Sequence, residues 1–353
     1  MSRRRVSKKV HTTAMAPVVE ASLPEIAQTS AIFKLPDETF LEILSYFPVF
    51  AFRYDFNSSG LQVVWGQTFL PGEYAQRFHA LRAITQACRT LRRKFLSWLW
   101  ERVEACVAPG RAAWYISLGN KLESKCHILL KNPPLATHVR VMSVTITRYR
   151  MDTILPAFAN CLHSLPNLHT LELCHVHHEM STKLKRVFEG VKIPSIRTFV
   201  LPTTAHHMLG SCPNVEDVTC NVGDGSQILG TIASKCPKVE RISGTCPSSA
   251  VLKRLAKKNP NMREFSFIRG GASPDILLLG SFKRLAVIEF QLRLAVGKDP
   301  PAQRISAAKK ILEASEYDGI KVVKCRVVRF IPHKHSFGMP QYVGVENLDT
   351  VVA

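Results

Sequence analysis

Histidine is the first residue type whose spacing invites chemistry. His163, His169, His175, His177 and His178 lie close together, followed by His206 and His207. His175, His177 and His178 stand beside Cys174, and imidazole with thiolate is the donor set that zinc prefers. The helical zinc-protease motif needs a second histidine four residues after the first. After His178-Glu179 that position is Thr182, so no metal site is expected. The glycine-rich run Val222-Gly223-Asp224-Gly225-Ser226 lacks the Gly-Lys-Ser/Thr ending of a phosphate loop and reads as a turn into a helix capped by Ser226. No strand-to-helix Gly-x-Ser-x-Gly elbow occurs. The ten cysteines, at 88, 106, 126, 161, 174, 212, 220, 236, 246 and 325, include no Cys-x-x-Cys pair. They read as reduced thiols packed as small hydrophobes. No catalytic residue, cofactor or metal is therefore expected, and the chain reads as a non-enzyme.

Composition narrows the classes. The chain has 353 residues, 47 Lys plus Arg against 27 Asp plus Glu, and a formal charge of +20. Hydrophobic residues make up 46% of it, enough for a sizeable core, and no apolar run approaches the length of a membrane-spanning helix. Basic clusters at 3–9, 77–102 and 253–263 suit an acidic partner.

The elements follow from periodicity. Residues 1–31 read as a disordered basic arm, suited to a nuclear or cytoplasmic chain without an export signal; Asn57-Ser58-Ser59 then has no glycosylation role. Pro36, Asp37 and Glu38 open a helix that Pro48 closes, with Leu41, Leu44 and Phe47 on one face and Phe40 and Ile43 extending it. An irregular insertion is expected over 48–76. Leu81, Ile84, Cys88, Leu91, Phe95, Leu99 and Val103 recur at steps of three and four, which predicts one or two amphipathic helices. A helical linker is expected over 104–134 and a C-terminal tail over 331–353.

Between them, over 135–330, the chain repeats an apolar-x-x-apolar-x-apolar strand. Its copies begin at Val139, Leu168, Ile196, Val215, Val239, Met262, Leu285 and Ile320, several just after a proline. Gly244 replaces the third apolar residue of its copy. Helices are expected at Ile228–Ala233, Ala250–Lys257 and Asp275–Leu279, the last opened by Ser273-Pro274. A unit of about 24 residues cannot bury its apolar face alone, so such units stack into an α/β solenoid with a parallel sheet on the concave side. The charged residues Glu172, Arg197, Asp217, Arg241, Glu264 and Glu289 would point outward from that sheet and are the candidate substrate-binding set.

Leu35-Pro36-Asp37-Glu38 with Leu41-x-Ile43-Leu44, then Ala87-Cys88-Arg89-x-Leu91 and Leu99-Trp100, resembles the two ends of an F-box. Before a repeat array, the chain resembles the fungal F-box proteins that carry irregular leucine-rich repeats. The resemblance implies an N-terminal helical F-box over 32–103, followed by the solenoid. It implies a substrate-recognition subunit of an SCF-type (cullin-RING) ubiquitin ligase. Leu35, Pro36, Ile43, Leu44, Cys88, Arg89 and Leu91 would contact the Skp-type adaptor or support that contact, and the repeats would hold a protein substrate. The departures are the insertion at 48–76, and Ala87 and Leu91 where larger or aromatic residues are usual. The alternative from composition is a basic nucleic-acid-binding or scaffold protein with a vestigial F-box.

Overall fold

Helix α1 (Asp37–Ser45) begins directly after Pro36, and Asp37 and Glu38 complement the positive end of its backbone dipole. The structure, a computed structural model, describes residues 35–48, 69–108, 110, 112–268, 276–300, 302–331 and 341–352. The expected basic arm, the sequon at 57–59, most of the 48–76 insertion and Ser273-Pro274 lie outside the described residues. The chain divides into two units, residues 1–44 and 45–353.

In α1 the buried stripe is Phe40 and Leu44, one turn apart. This corrects the expected face: Leu41 is exposed and Leu44 is sealed, so only part of the apolar surface is covered.

In the second unit, a short 3₁₀ helix (Gly72–Ala75) leads into α2 (Gln76–Ala87) and α3 (Arg89–Glu101). The expected long pattern is indeed two helices. Cys88 breaks it with extended φ −159° and ψ 167°, and its Sγ accepts the Leu91 N–H at 3.5 Å. Leu81, Leu91 and Phe95 form the buried seam. Val103, read as the last helical position, instead belongs to β1 (Arg102–Ala105).

A single ten-stranded sheet follows in which spatial order equals chain order. After β1 come β2 (Val141–Ile146), β3 (Thr170–Val176), β4 (Thr198–Leu201), β5 (Asp217–Cys220) and β6 (Arg241–Thr245). Then come β7 (Glu264–Ile268), β8 (Val287–Ala295), β9 (Lys321–Ile331) and β10 (Gln341–Val352). Strands β1 to β9 pair in parallel, and β10 runs antiparallel to β9. The sheet therefore starts earlier than expected, across the boundary at 103/104 between the expected helical box and the expected helical linker. It also ends later, since most of the expected tail is β10.

Parallel neighbours need crossovers, and most of these are helical. They are α4 (Trp114–Lys131) with α5 (Pro133–Ala136), α6 (Met151–His163), α7 (Ser181–Phe188), a 3₁₀ helix (Thr203–Ser211), α8 (Ser226–Lys235), α9 (Ser249–Lys258), a 3₁₀ helix (Ile276–Ser281) and α10 (Ala302–Glu313). The prolines explain the regularity. A residue before proline is driven out of the α region, and Cys212, Cys236 and Asn259, each followed by proline, end their helices at ψ 73°, 72° and 66°. Each then turns its side chain inward. Cys236 Sγ donates to Leu209 O at 3.5 Å and Asn259 Nδ2 to Cys236 O at 2.9 Å, tying one unit to the one before. Burial pushes the Cys236 thiol up to about 12, so it stays protonated.

The core lies between sheet and helices. Leu171, Leu173, Phe199, Leu201, Val218, Ile242 and Phe265 are all sealed within it. Each contributes about 1.5–3 kcal/mol of transfer free energy. Gly244 is not a missing core residue but a bulge. Its φ is +79°, and the register between β6 and β7 shifts there. Ser226 does not cap its helix. Gly225, at φ +76°, holds that position, and the Asp224 carboxylate takes the Ser226 N–H (3.1 Å) and hydroxyl (2.7 Å).

Candidate functional site

Two surfaces carry the candidate residues. The first is the helical region. In α1, Leu41 is 52% exposed and Ile43 48%, while Phe40 and Leu44 of the same helix are buried; Leu35, just before the helix, is 36% exposed. Pro36 and Arg89 are exposed and Cys88 is half-buried. Leu44 and Leu91 are buried, so of the adaptor-binding candidates these two serve as packing and leave Leu35, Pro36, Ile43, Cys88 and Arg89 accessible.

In the second unit, α2, α3 and α4 enclose a groove of about 720 Å³. Phe78, Leu96, Leu99 and Trp100 give it apolar walls, and Arg82, Arg89, Arg92 and Lys125 supply cations. The Lys125 ammonium sits 4.5 Å from the Phe78 ring centre, and burial lowers its pKa below the usual lysine value, with Glu104 opposing. Lys125 was missed in the sequence because its place beside Phe78 depends on how α4 packs.

The second surface is the face of the sheet turned away from the helices. Alternation along each strand places one residue in two there. One row in register runs Glu104, Ser143, Glu172, Val200, Thr219 and Ser243; beyond the bulge it continues as Ser266, Glu289 and Lys324. The neighbouring row includes Arg102, Asp217, Arg241 and Glu264. Five of the six substrate-binding candidates thus share one face. Asp217, Arg241 and Glu264 are brought side by side, with Asp217 Oδ2 3.1 Å from Arg241 Nε. Arg197 lies outside both rows, just before β4, and pairs with Glu216 at 3.2 Å.

Much of this face is not open. Glu172, Asp217 and Glu289 are buried. Leu70, from the end of the expected insertion, pairs with Val107 in a parallel bridge and packs with Cys106 and Val200 as a second small core on this side. Glu172 accepts the Ser143 hydroxyl at 2.5 Å and lies 3.9 Å from Arg102, which also faces Glu104 at 3.7 Å. Burial raises the Glu172 carboxyl above the ordinary value, with Ser143 and Arg102 pulling the other way; burial also raises Glu104. The sequence signal for Arg102 and Glu104 was their alternation with Val103 and Ala105, hidden because the helical period runs into it.

The histidines come together only in part. His177, His178 and Glu179 place ligand atoms within 4.8 Å of one another, and the two rings stack at 4.4 Å. Arg148 holds both Glu179 oxygens at 3.1 and 3.3 Å, so the carboxylate already has a cation. His175 lies apart from that trio in β3, and burial lowers its pKa to about 4, which keeps it neutral. His206 is fixed by Thr203 O at 2.9 Å, and its ring lies 3.8 Å from that of His207.

Comparison with models of protein families finds no match, and comparison with curated proteins finds none similar to this chain. Among the described residues, no helix is long and apolar enough to cross a membrane.

Proposed function

We propose that this chain is a non-catalytic substrate receptor of an SCF-type ubiquitin ligase, with an F-box-like N-terminal region and a leucine-rich-repeat-like solenoid. In this reading Leu35, Pro36 and Ile43, with Cys88 and Arg89, meet the Skp-type adaptor, and the strand-and-helix units recruit a protein substrate. The observation that carries it is the unequal use of α1. One apolar stripe is buried, yet Leu41 and Ile43 of the same nine-residue helix remain exposed, as does Leu35 just before it. Exposed apolar side chains grouped on one short helix are what a helix-in-groove contact uses. The sequential parallel sheet supports the second half of the reading, because stacked units present side chains in register, of which Arg241 and Glu264 are accessible, as is Arg197 just before β4.

The test is co-purification. Leu35→Ala combined with Pro36→Ala is expected to abolish recovery of the adaptor from the native host while the thermal midpoint of the chain is unchanged. Undiminished adaptor recovery by the double variant rejects the proposal.

A further inference from the structure

We propose that the outer helix layer of the second unit binds the phosphate backbone of double-stranded nucleic acid. The inference does not depend on adaptor docking.

The carrying observation is a sorting of charge by face. Five consecutive outer elements, α7, Thr203–Ser211, α8, α9 and Ile276–Ser281, contain no Asp or Glu, yet they hold eight Lys and Arg. At the chain's ratio of 47 bases to 27 acids, eight charged side chains would include about three acids. The acids of the same repeats sit instead on the strands, as Glu172, Asp217, Glu264 and Glu289, or between elements, as Glu216 and Glu240. On α7, Lys183 and Arg186 reach Asp152 of α6 at 3.0 and 4.0 Å. Lys185, Lys235, Lys253, Arg254, Lys257 and Lys258 are exposed and have no carboxylate partner among the described residues. Glu189 after α7 and Asp224 before α8 lie in the connections, and Asp224 is engaged by Ser226.

Packing draws these cations together rather than apart. The Lys235 chain crosses Gly210 so closely that a Cβ there would lie 2.9 Å from it, and Arg254 similarly reaches within 3.2 Å at Gly230. Each thus leans over the preceding element. Lys192 Nζ donates to Gly210 O at 3.3 Å, adding a cation to the same place. Burial lowers the His207 pKa, and His206, Lys185 and Lys235 lower it further, which marks their mutual proximity. Like charges gathered without counter-charges destabilise the free protein and are relieved by a polyanion.

The chemistry of the layer selects among polyanions. Of the exposed large hydrophobic residues, Leu277 on Ile276–Ser281 is the one that lies on these five elements among the described residues. A membrane-surface helix needs apolar side chains to insert, and a single-strand binder needs aromatic faces on which bases stack. Among the described residues of the layer a lone Leu277 offers no insertion surface, and its one Phe, Tyr or Trp, Phe188, is buried. Cations alone on packed helices fit a duplex backbone, contacted without regard to sequence.

The test is fluorescence anisotropy with the full chain and a fluorescein-labelled DNA duplex of about 20 base pairs, titrated at about 50 and 200 mM salt. Expected are binding at the lower salt, a steep fall at the higher, and at least tenfold weaker binding by the variant Lys185→Glu, Lys235→Glu, Lys253→Glu, Lys257→Glu. If that variant does not fold, Lys253→Gln with Lys257→Gln is expected to weaken binding about threefold and to flatten the log–log salt dependence by about two contacts. Absence of duplex binding overturns the proposal, as does parental affinity in a folded quadruple or double variant, which would move the contact to the arm or to 77–102. A single strand of equal length bound as tightly, or phosphatidylserine vesicles bound more tightly, also overturns it. The Leu35→Ala, Pro36→Ala variant is expected to bind duplex as the parent does, so the two readings fail separately.

Discussion

The two faces of the repeat unit handle charge in opposite ways. On the strand face, Asp217, Arg241 and Glu264 alternate in register, several acids are buried, and Asp217 and Arg241 neutralise one another. On the helix face from α7 to Ile276–Ser281 the elements carry cations and no acid of their own, and most of these cations stay exposed. A paired, buried charge is part of the fold, and removing one member leaves the other uncompensated. An exposed, unpaired charge contributes little to stability and is free to meet a partner. The same net basicity therefore has two meanings within one scaffold.

The largest effect that sharpens this contrast is expected at Asp217, which is 5% exposed. Asp217→Ala removes a buried carboxylate from the side of Arg241 and is expected to lower the unfolding free energy by about 1–3 kcal/mol. Urea denaturation followed by circular dichroism measures it. An unchanged midpoint would place the strand-face pair among ordinary surface ion pairs and erase the distinction.

Glu172 gives a smaller, pH-dependent effect. Burial raises its folded-state pKa above the usual 4.5, so the folded state holds its proton more tightly than the unfolded one. Stability from this group is then full below the unfolded pKa and declines as pH rises toward the folded value. Glu172→Gln is expected to flatten that decline and to leave stability at pH 7 equal to the parent or above it by up to about 1 kcal/mol. At pH 4 the two chains are expected to differ less. A variant that loses stability only at neutral pH would show that the Arg102 contact outweighs burial.

How much of this was legible in the sequence depends on what each feature needs. The repeated strands were readable because proline, two intervening residues and an apolar step act locally; Pro213 and Pro237 follow the residues that end their helices. Strand β1 was hidden because Val103 also satisfies the helical step from Leu99. Strand β10 was hidden because Gly344, Glu346, Asn347 and Asp349 interrupt its apolar residues, and only pairing along β9 holds it extended. Five of the six proposed strand-face residues follow from simple alternation. Their partners do not, since the neighbour of Arg241 depends on register, and register depends on the bulge at Gly244. In the helical region, exposure decided what spacing could not. Phe40 and Leu44 form the buried stripe, whereas spacing put Leu41, Leu44 and Phe47 on one face with Phe40 and Ile43 extending it.

The smallest expected effect is the most discriminating for the helix face. Lys253 is exposed on α9, beside Lys257 one turn on, with no acid on that helix. Like charges at this spacing repel by a few tenths of a kcal/mol. Lys253→Ala is therefore expected to leave the denaturation midpoint unchanged or to raise stability by less than about 0.5 kcal/mol, since alanine also favours helix. Calorimetry at low and high salt checks the cause: any gain is expected to shrink as salt screens the repulsion. A loss of stability on removing Lys253 would mean that the cation is held by the fold, as Arg241 is, and the two faces would no longer differ in kind.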